Sequence, residues 1–164
     1  MKKLRILLIS IFLIVGLSAC NSINDNDRFS DLSGIDINQL ELVDKYDSHG
    51  GFHNDGVAYY KYAINEYDIL NNIKNDTRWE KFPLSETVNI LLYGNELDGV
   101  YIVDESQNVL MPKVNVGYYL LIDRHSEASE NEKQETIFDR YSLNYTVVVY
   151  DIENNFLYIC EQDT

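Results

Sequence analysis

Apolar and polar positions are spread unevenly along the chain, and their spacing predicts most of its elements. After Lys2, Lys3 and Arg5, residues 6–15 are almost wholly apolar, interrupted by Ser10 and ended by Gly16. A run this short cannot cross a bilayer, which takes about 20 apolar residues. Residues 21–38, NSINDNDRFSDLSGIDIN, are polar, acidic and poor in apolar side chains, which predicts a flexible tether. Coil of that length reaches about 20–25 Å.

Apolar side chains then recur at a period of two. Leu40, Leu42 and Tyr46 fall on one side of a strand over residues 39–48. The following HGGFHNDG, residues 49–56, supplies glycines and Asn-Asp-Gly turn chemistry, so the chain reverses there. Residues 57–64, VAYYKYAI, return as the second strand of a hairpin spanning 40–64. At Asn65 the period changes: Asn65 can cap a helix that ends near Asn75, with Ile69, Leu70 and Ile73 on its apolar face. A second helix is predicted over 85–93, where Leu84, Val88, Leu91 and Leu92 repeat at helical spacing and Gly94 closes the end.

Residues 95–116 carry little pattern beyond a short strand at 100–103. Residues 117–123, GYYLLID, predict a central strand. Ser129 and Glu132 have capping-box spacing for a short helix reaching Tyr141. Residues 145–150 and 156–160 predict a closing hairpin around a turn at 151–155. The sum is an α+β domain: an antiparallel sheet of about five strands with two helices packed on one face.

The chain start has its own chemistry. A cationic beginning, a short apolar core and small residues at Ser18 and Ala19 are the three parts of a signal peptide. Leu17-Ser18-Ala19-Cys20 resembles the lipobox of bacterial lipoproteins. That resemblance implies acyl transfer (palmitate and similar chains) to the Cys20 thiol, cleavage before Cys20, and a lipid anchor on the extracytoplasmic face of the cell membrane. The chain then divides into a removed signal peptide, 1–19, a lipidated Cys20 with an acidic tether to 38, and a single domain over 39–164.

Charge sharpens this picture. The formal net charge of −14 becomes −17 once the three leading cations depart. Such a surface disfavours nucleic acid, because no basic patch offsets the phosphates, and it suits a basic protein or a cell-envelope partner. Of two cysteines, Cys20 is taken by lipid, so Cys160 has no partner for a disulfide. Cys160 lies in an apolar strand and reads as a buried, inert thiol.

Candidate chemistry concentrates in one place. Asp47, His49, His53 and Asp55 would share one face if residues 47–55 stayed extended. His49, His53 and Asp55 could then bind zinc or manganese, and Asp47 and His49 could act as acid–base partners. The glycines at 50 and 51 argue for a turn instead, in which these side chains satisfy local backbone groups. Asp123-Arg124-His125 and Arg140 form a second group. There His125 could complete the first site, or the arginines could pair with surrounding acids. No HExxH, GxSxG or phosphate-binding loop is present, and Asp25, Asp27 and Asp31 lack the Gly and Glu of a calcium loop.

The run from Asp47 to Gly56, the Gly117-Tyr118-Tyr119 to Asp123-Arg124-His125 segment, and Tyr150-Asp151 with Asp163-Thr164 resemble a group of small uncharacterised lipoproteins of Gram-positive bacteria. That resemblance implies a similar fold and brings no activity with it. Two functions are weighed: a non-enzymatic, surface-tethered binding or accessory module, immunity-like in intercepting a basic partner, and a metal-dependent hydrolase. The first needs no cofactor, and the second needs a divalent metal at His49, His53 and Asp55.

Overall fold

A computed structural model describes residues 24–50, 55–65, 69–95, 102–125 and 137–164. Six strands make one fully antiparallel sheet: β1 (Glu41–Asp47), β2 (Gly56–Ala63), β3 (Glu80–Lys81), β4 (Gly117–Asp123), β5 (Tyr145–Asp151) and β6 (Phe156–Asp163), in the order β1-β2-β6-β5-β4-β3. The α+β class holds. The strand count rises from about five to six because Glu80–Lys81 pairs with Tyr119 and Tyr118, too short a segment to leave a period-two signature.

The closing hairpin forms as its pattern predicts, and its two strands are the innermost pair. Every residue of β5 is buried, which requires cover on both sides of the sheet. Alternate side chains supply two cores. On the first face Ala58, Tyr60, Tyr62, Leu157, Ile159, Val148 and Leu120 pack beneath α1 (Asp25–Ser33) and α2 (Ile69–Asn75). On the second, Tyr59, Tyr158, Cys160, Val147, Val149 and Tyr119 pack beneath α3 (Glu86–Tyr93) and Met111, Val114 and Ile137. The two helices read from sequence therefore lie on opposite faces, and a third joins them. A sheet this apolar on both sides cannot leave either face wet.

The third helix replaces most of the expected tether. Asn24 caps α1 by accepting from the Asn26 amide, and Gly34 closes it at φ 73°, donating to the Ser30 carbonyl. Ser33 Oγ donates to the Phe29 carbonyl, and Ser30 Oγ accepts from the Ile37 amide. Phe29, Ile35 and Ile37 then sink into the first-face core. Tyr62 donates to Asn26 Oδ1 and the Trp79 indole to the Ser33 carbonyl, which fastens the helix from below. The tether reading fails over 25–38 because few apolar side chains, placed well, sufficed. The packed body therefore includes residues 24–38, which the tether reading had left outside it.

Other expectations meet the structure unevenly. The helix expected over 85–93 forms as α3, closed at Gly94 as expected, and Ser85 caps its start by accepting from the Val88 amide. Of the short strand expected at 100–103, residues 100 and 101 lie outside the described set, and Val103 forms an isolated bridge with Val109. The capping box at Ser129 also lies outside it, and a single 3-10 turn occupies Ile137–Asp139. Phe29 is 1% exposed and meets the Tyr60 ring edge-on with centroids 4.7 Å apart. Phe29→Ala should lower unfolding free energy by about 3–5 kcal/mol, measured by urea titration. A change near zero would restore the tether reading.

Candidate functional site

The sheet end that carries the β1–β2 connection also receives the start of α1 and the ends of β4 and β6. Register makes this inevitable: Gly56 pairs with Asp163 and Asp123 with Tyr145, which itself pairs with Gln162. A cleft of about 450 Å³ opens there, lined by Asp25, Arg28, Asp47, His49, Tyr60, Arg124, Glu161 and Asp163.

Glu161 is the deepest of these. It continues the inward row Leu157–Ile159 on β6, so a carboxylate occupies a core-facing position, and its side chain is 2% exposed. Arg28 of α1 meets it with both terminal nitrogens, at 2.6 and 2.7 Å, and Thr146 Oγ1 donates at 2.7 Å. A two-pronged guanidinium–carboxylate contact is among the strongest polar pairings available. The Glu161 hydrogen bond holds the Arg28 guanidinium firmly protonated, against the effect of burial.

His49 joins two strands. Its Nδ1 stands 2.8 Å from Asp47 Oδ1 and its Nε2 3.1 Å from Asp163 Oδ2, so the ring bridges the two carboxylates. Its backbone amide also donates to Asp47 Oδ1 at 3.0 Å. Gly56 makes room for this: a Cβ there would stand 2.7 Å from the His49 Cα and amide nitrogen. Burial works to raise the Asp47 carboxyl, but the His49 ring and backbone N–H bonds and Lys45 overcome it, leaving the group below its ordinary value. Arg124 closes the ring of charges, with Nη2 2.8 Å from Asp163 Oδ1 and bonds to the Tyr145 and Gln162 carbonyls. Tyr60 donates to Asp25 and is contacted by Lys45 over its ring. Burial, then Asp25, pushes its phenol well above the ordinary range, so it remains a neutral donor.

Of the sequence-stated candidates, Asp47 and His49 are brought together. Cys20 and His53 lie outside the described residues. Asp55 is exposed and does not line the cleft, nor does His125, whose amide donates to Asp123. Instead its neighbour Arg124 reaches the cleft, and Arg140 pairs with Asp123 at 2.7 Å. The arginines thus take the ion-pairing role offered for them. Among the described residues no group of three or more His, Cys, Asp or Glu is arranged to hold a metal ion. Cys160 is buried, and burial followed by Glu161 keeps its thiol protonated. Arg28, Glu161 and Asp163 escaped sequence reasoning. The available signal was the period-two continuation of an apolar strand into an acid. No protein-family model, curated protein or solved structure matches the chain.

Two outcomes follow from this geometry. Arg28→Met alone strands a buried carboxylate and should cost about 2–3 kcal/mol, while Arg28→Met, Thr146→Val and Glu161→Leu together should return to within about 1 kcal/mol of the parent, measured by urea unfolding. Asp47 binds its proton less readily folded than unfolded. Its stabilising share is therefore complete above about pH 4 and is lost as pH falls through the depressed folded value. Asp47→Asn should start less stable at neutral pH and lose less on acidification, read as unfolding midpoints across pH.

Proposed function

We propose that the protein is a lipid-anchored, extracytoplasmic binding lipoprotein that acts without catalysis on a basic partner close to the membrane. The observation that carries this reading is the mutual pairing of the cleft charges. Arg28, Arg124, Lys45 and His49 each have a carboxylate within 2.6–3.4 Å. A general base or nucleophile has to present an uncommitted atom to its substrate, whereas charges neutralised in this way hold segments together. The acidic surface supports a basic partner, since opposite charge steers encounter.

Anchoring gains meaning from where the domain begins. If lipid sits on Cys20, the chain from there to the helix cap at Asn24 spans at most about 14 Å. The body then rests against the headgroups instead of swinging on a long leash. A single acyl chain binds membranes marginally, and two or three hold firmly.

The metal-dependent hydrolase reading draws no support from His49, whose two ring nitrogens both face carboxylates. Stoichiometric metal on the full chain, lost in His49→Ala, would favour it. The lipoprotein reading is tested in membranes from cells producing the full chain. The parent should partition with detergent and yield an acylated N-terminal peptide beginning at Cys20, and it should retain basic proteins that elute as salt rises. Cys20→Ala should leave the membrane fraction. An unacylated chain with Met1 intact, or no salt-sensitive basic partner, would defeat the proposal.

A further inference from the structure

A second groove, also about 450 Å³, lies alongside β1 on the second face of the sheet. Tyr46, Tyr59 and Leu110 provide a largely apolar floor, and Asp44, Asp104 and Glu105 line it with acid. The ammonium of Lys45, the one lining cation, is held on the opposite face by Asp25 and Asp47 at 3.4 Å and over the Tyr60 ring. Val43 and Val109, immediately before Asp44 and Leu110, are 49% and 47% exposed. The wall opposite β1 is pre-shaped. Asp104 accepts from the Ser106 and Asn108 amides and from the Asn108 side chain at 2.8–2.9 Å, and Val103 bridges to Val109.

β1 is also the end strand of the sheet. Ser48 donates to the Val57 carbonyl, and paired bonds recur every second residue in an antiparallel ladder, so Lys45 and Asp47 turn their backbone groups outward. Two features guard this edge against indiscriminate pairing: the bulge at Val43, and the Asp44 carboxylate, which accepts from the Lys45 amide at 2.9 Å. An incoming strand has to displace that carboxylate. A strand carrying Lys or Arg repays the displacement by pairing with it.

We propose that this groove and edge dock an extended cationic segment of a partner protein, whose alternate, groove-facing Lys or Arg side chains lay their apolar stems along Tyr46 and Leu110 and bring their charged ends to Asp44, Asp104 and Glu105. The inference rests on the basic-partner reading and gives it a location. Strand addition of this kind takes affinity from main-chain bonds and specificity from alternate side chains. A second copy of this chain is a poor occupant, because β1 itself carries Glu41, Asp44 and Asp47 against a single Lys45, and like charges facing each other repel.

The test uses the full chain and two labelled synthetic peptides, one alternating Lys with Val and one alternating Glu with Val, followed by fluorescence anisotropy. The Lys peptide should bind, weaken as salt rises, and slow hydrogen exchange at the Lys45 and Asp47 amides. The Glu peptide should not bind. Asp44→Asn with Glu105→Gln keeps the loop bonds of Asp104 and should weaken binding about three- to ten-fold, with an unchanged melting temperature confirming the fold. Binding of the Lys peptide that ignores this variant and leaves the β1 amides unprotected would overturn the groove assignment and leave a basic partner bound elsewhere. Failure of the Lys peptide to bind at all, or equal binding of the Glu peptide, would overturn the docking proposal together with the charge argument beneath it.

Discussion

Placing the Glu161 carboxylate on the inward side of β6 sets a condition that the surrounding chain has to meet. An ionised carboxylate in an apolar setting is prohibitively unfavourable unless it is paired and its oxygens are hydrogen-bonded. Three neighbours meet the condition: Arg28 from α1, Thr146 from the adjacent strand and, at 3.9 Å, Arg124 from the end of β4. Each comes from a different element, so the acid fixes where those elements lie relative to β6. α1 in particular gains a directional tie that its modest apolar face could not provide alone. Polar specification of this kind narrows the ways the first core can pack.

From that pair acids and bases alternate outward. Arg28 is flanked by Asp25, Asp25 by Lys45 and Tyr60, Lys45 by Asp47, Asp47 by His49, His49 by Asp163, and Asp163 by Arg124. In a chain with a net charge of −14, self-repulsion works against compactness. Placing Arg28, Lys45 and Arg124 at one sheet end offsets it locally, where four segments meet. The rest of the surface keeps its negative excess, part of which the groove beside β1 presents through Asp44, Asp104 and Glu105.

How much of this was legible depended on the range of the signal. The closing hairpin announced itself through two apolar runs around a polar turn, and α3 through helical spacing with a glycine at its end. The class of the fold followed from those. α1 did not, since a nine-residue helix with Phe29 and Leu32 as its main apolar contacts looks like coil to any compositional reading. Its Asn24 cap and Gly34 terminus were present, but the evidence that mattered was tertiary: Tyr62 and Trp79, distant in sequence, supply the bonds. The cleft was half visible for the same reason. Asp47 and His49 are two residues apart and could be grouped by eye, whereas Arg28, Arg124, Glu161 and Asp163 come together only through strand register. The arrangement on opposite faces could have been inferred from β5, whose YTVVVY has no polar side to turn toward water.

The two margins of the sheet are unequal. β3 is two residues long, while β1 runs for seven. Among the described residues, the far margin offers only that two-residue end strand, far less edge than β1, for a next molecule to build on. Growth by edge pairing from one molecule to the next is thereby disfavoured, and a concentrated solution of these molecules is protected from zipping into filaments.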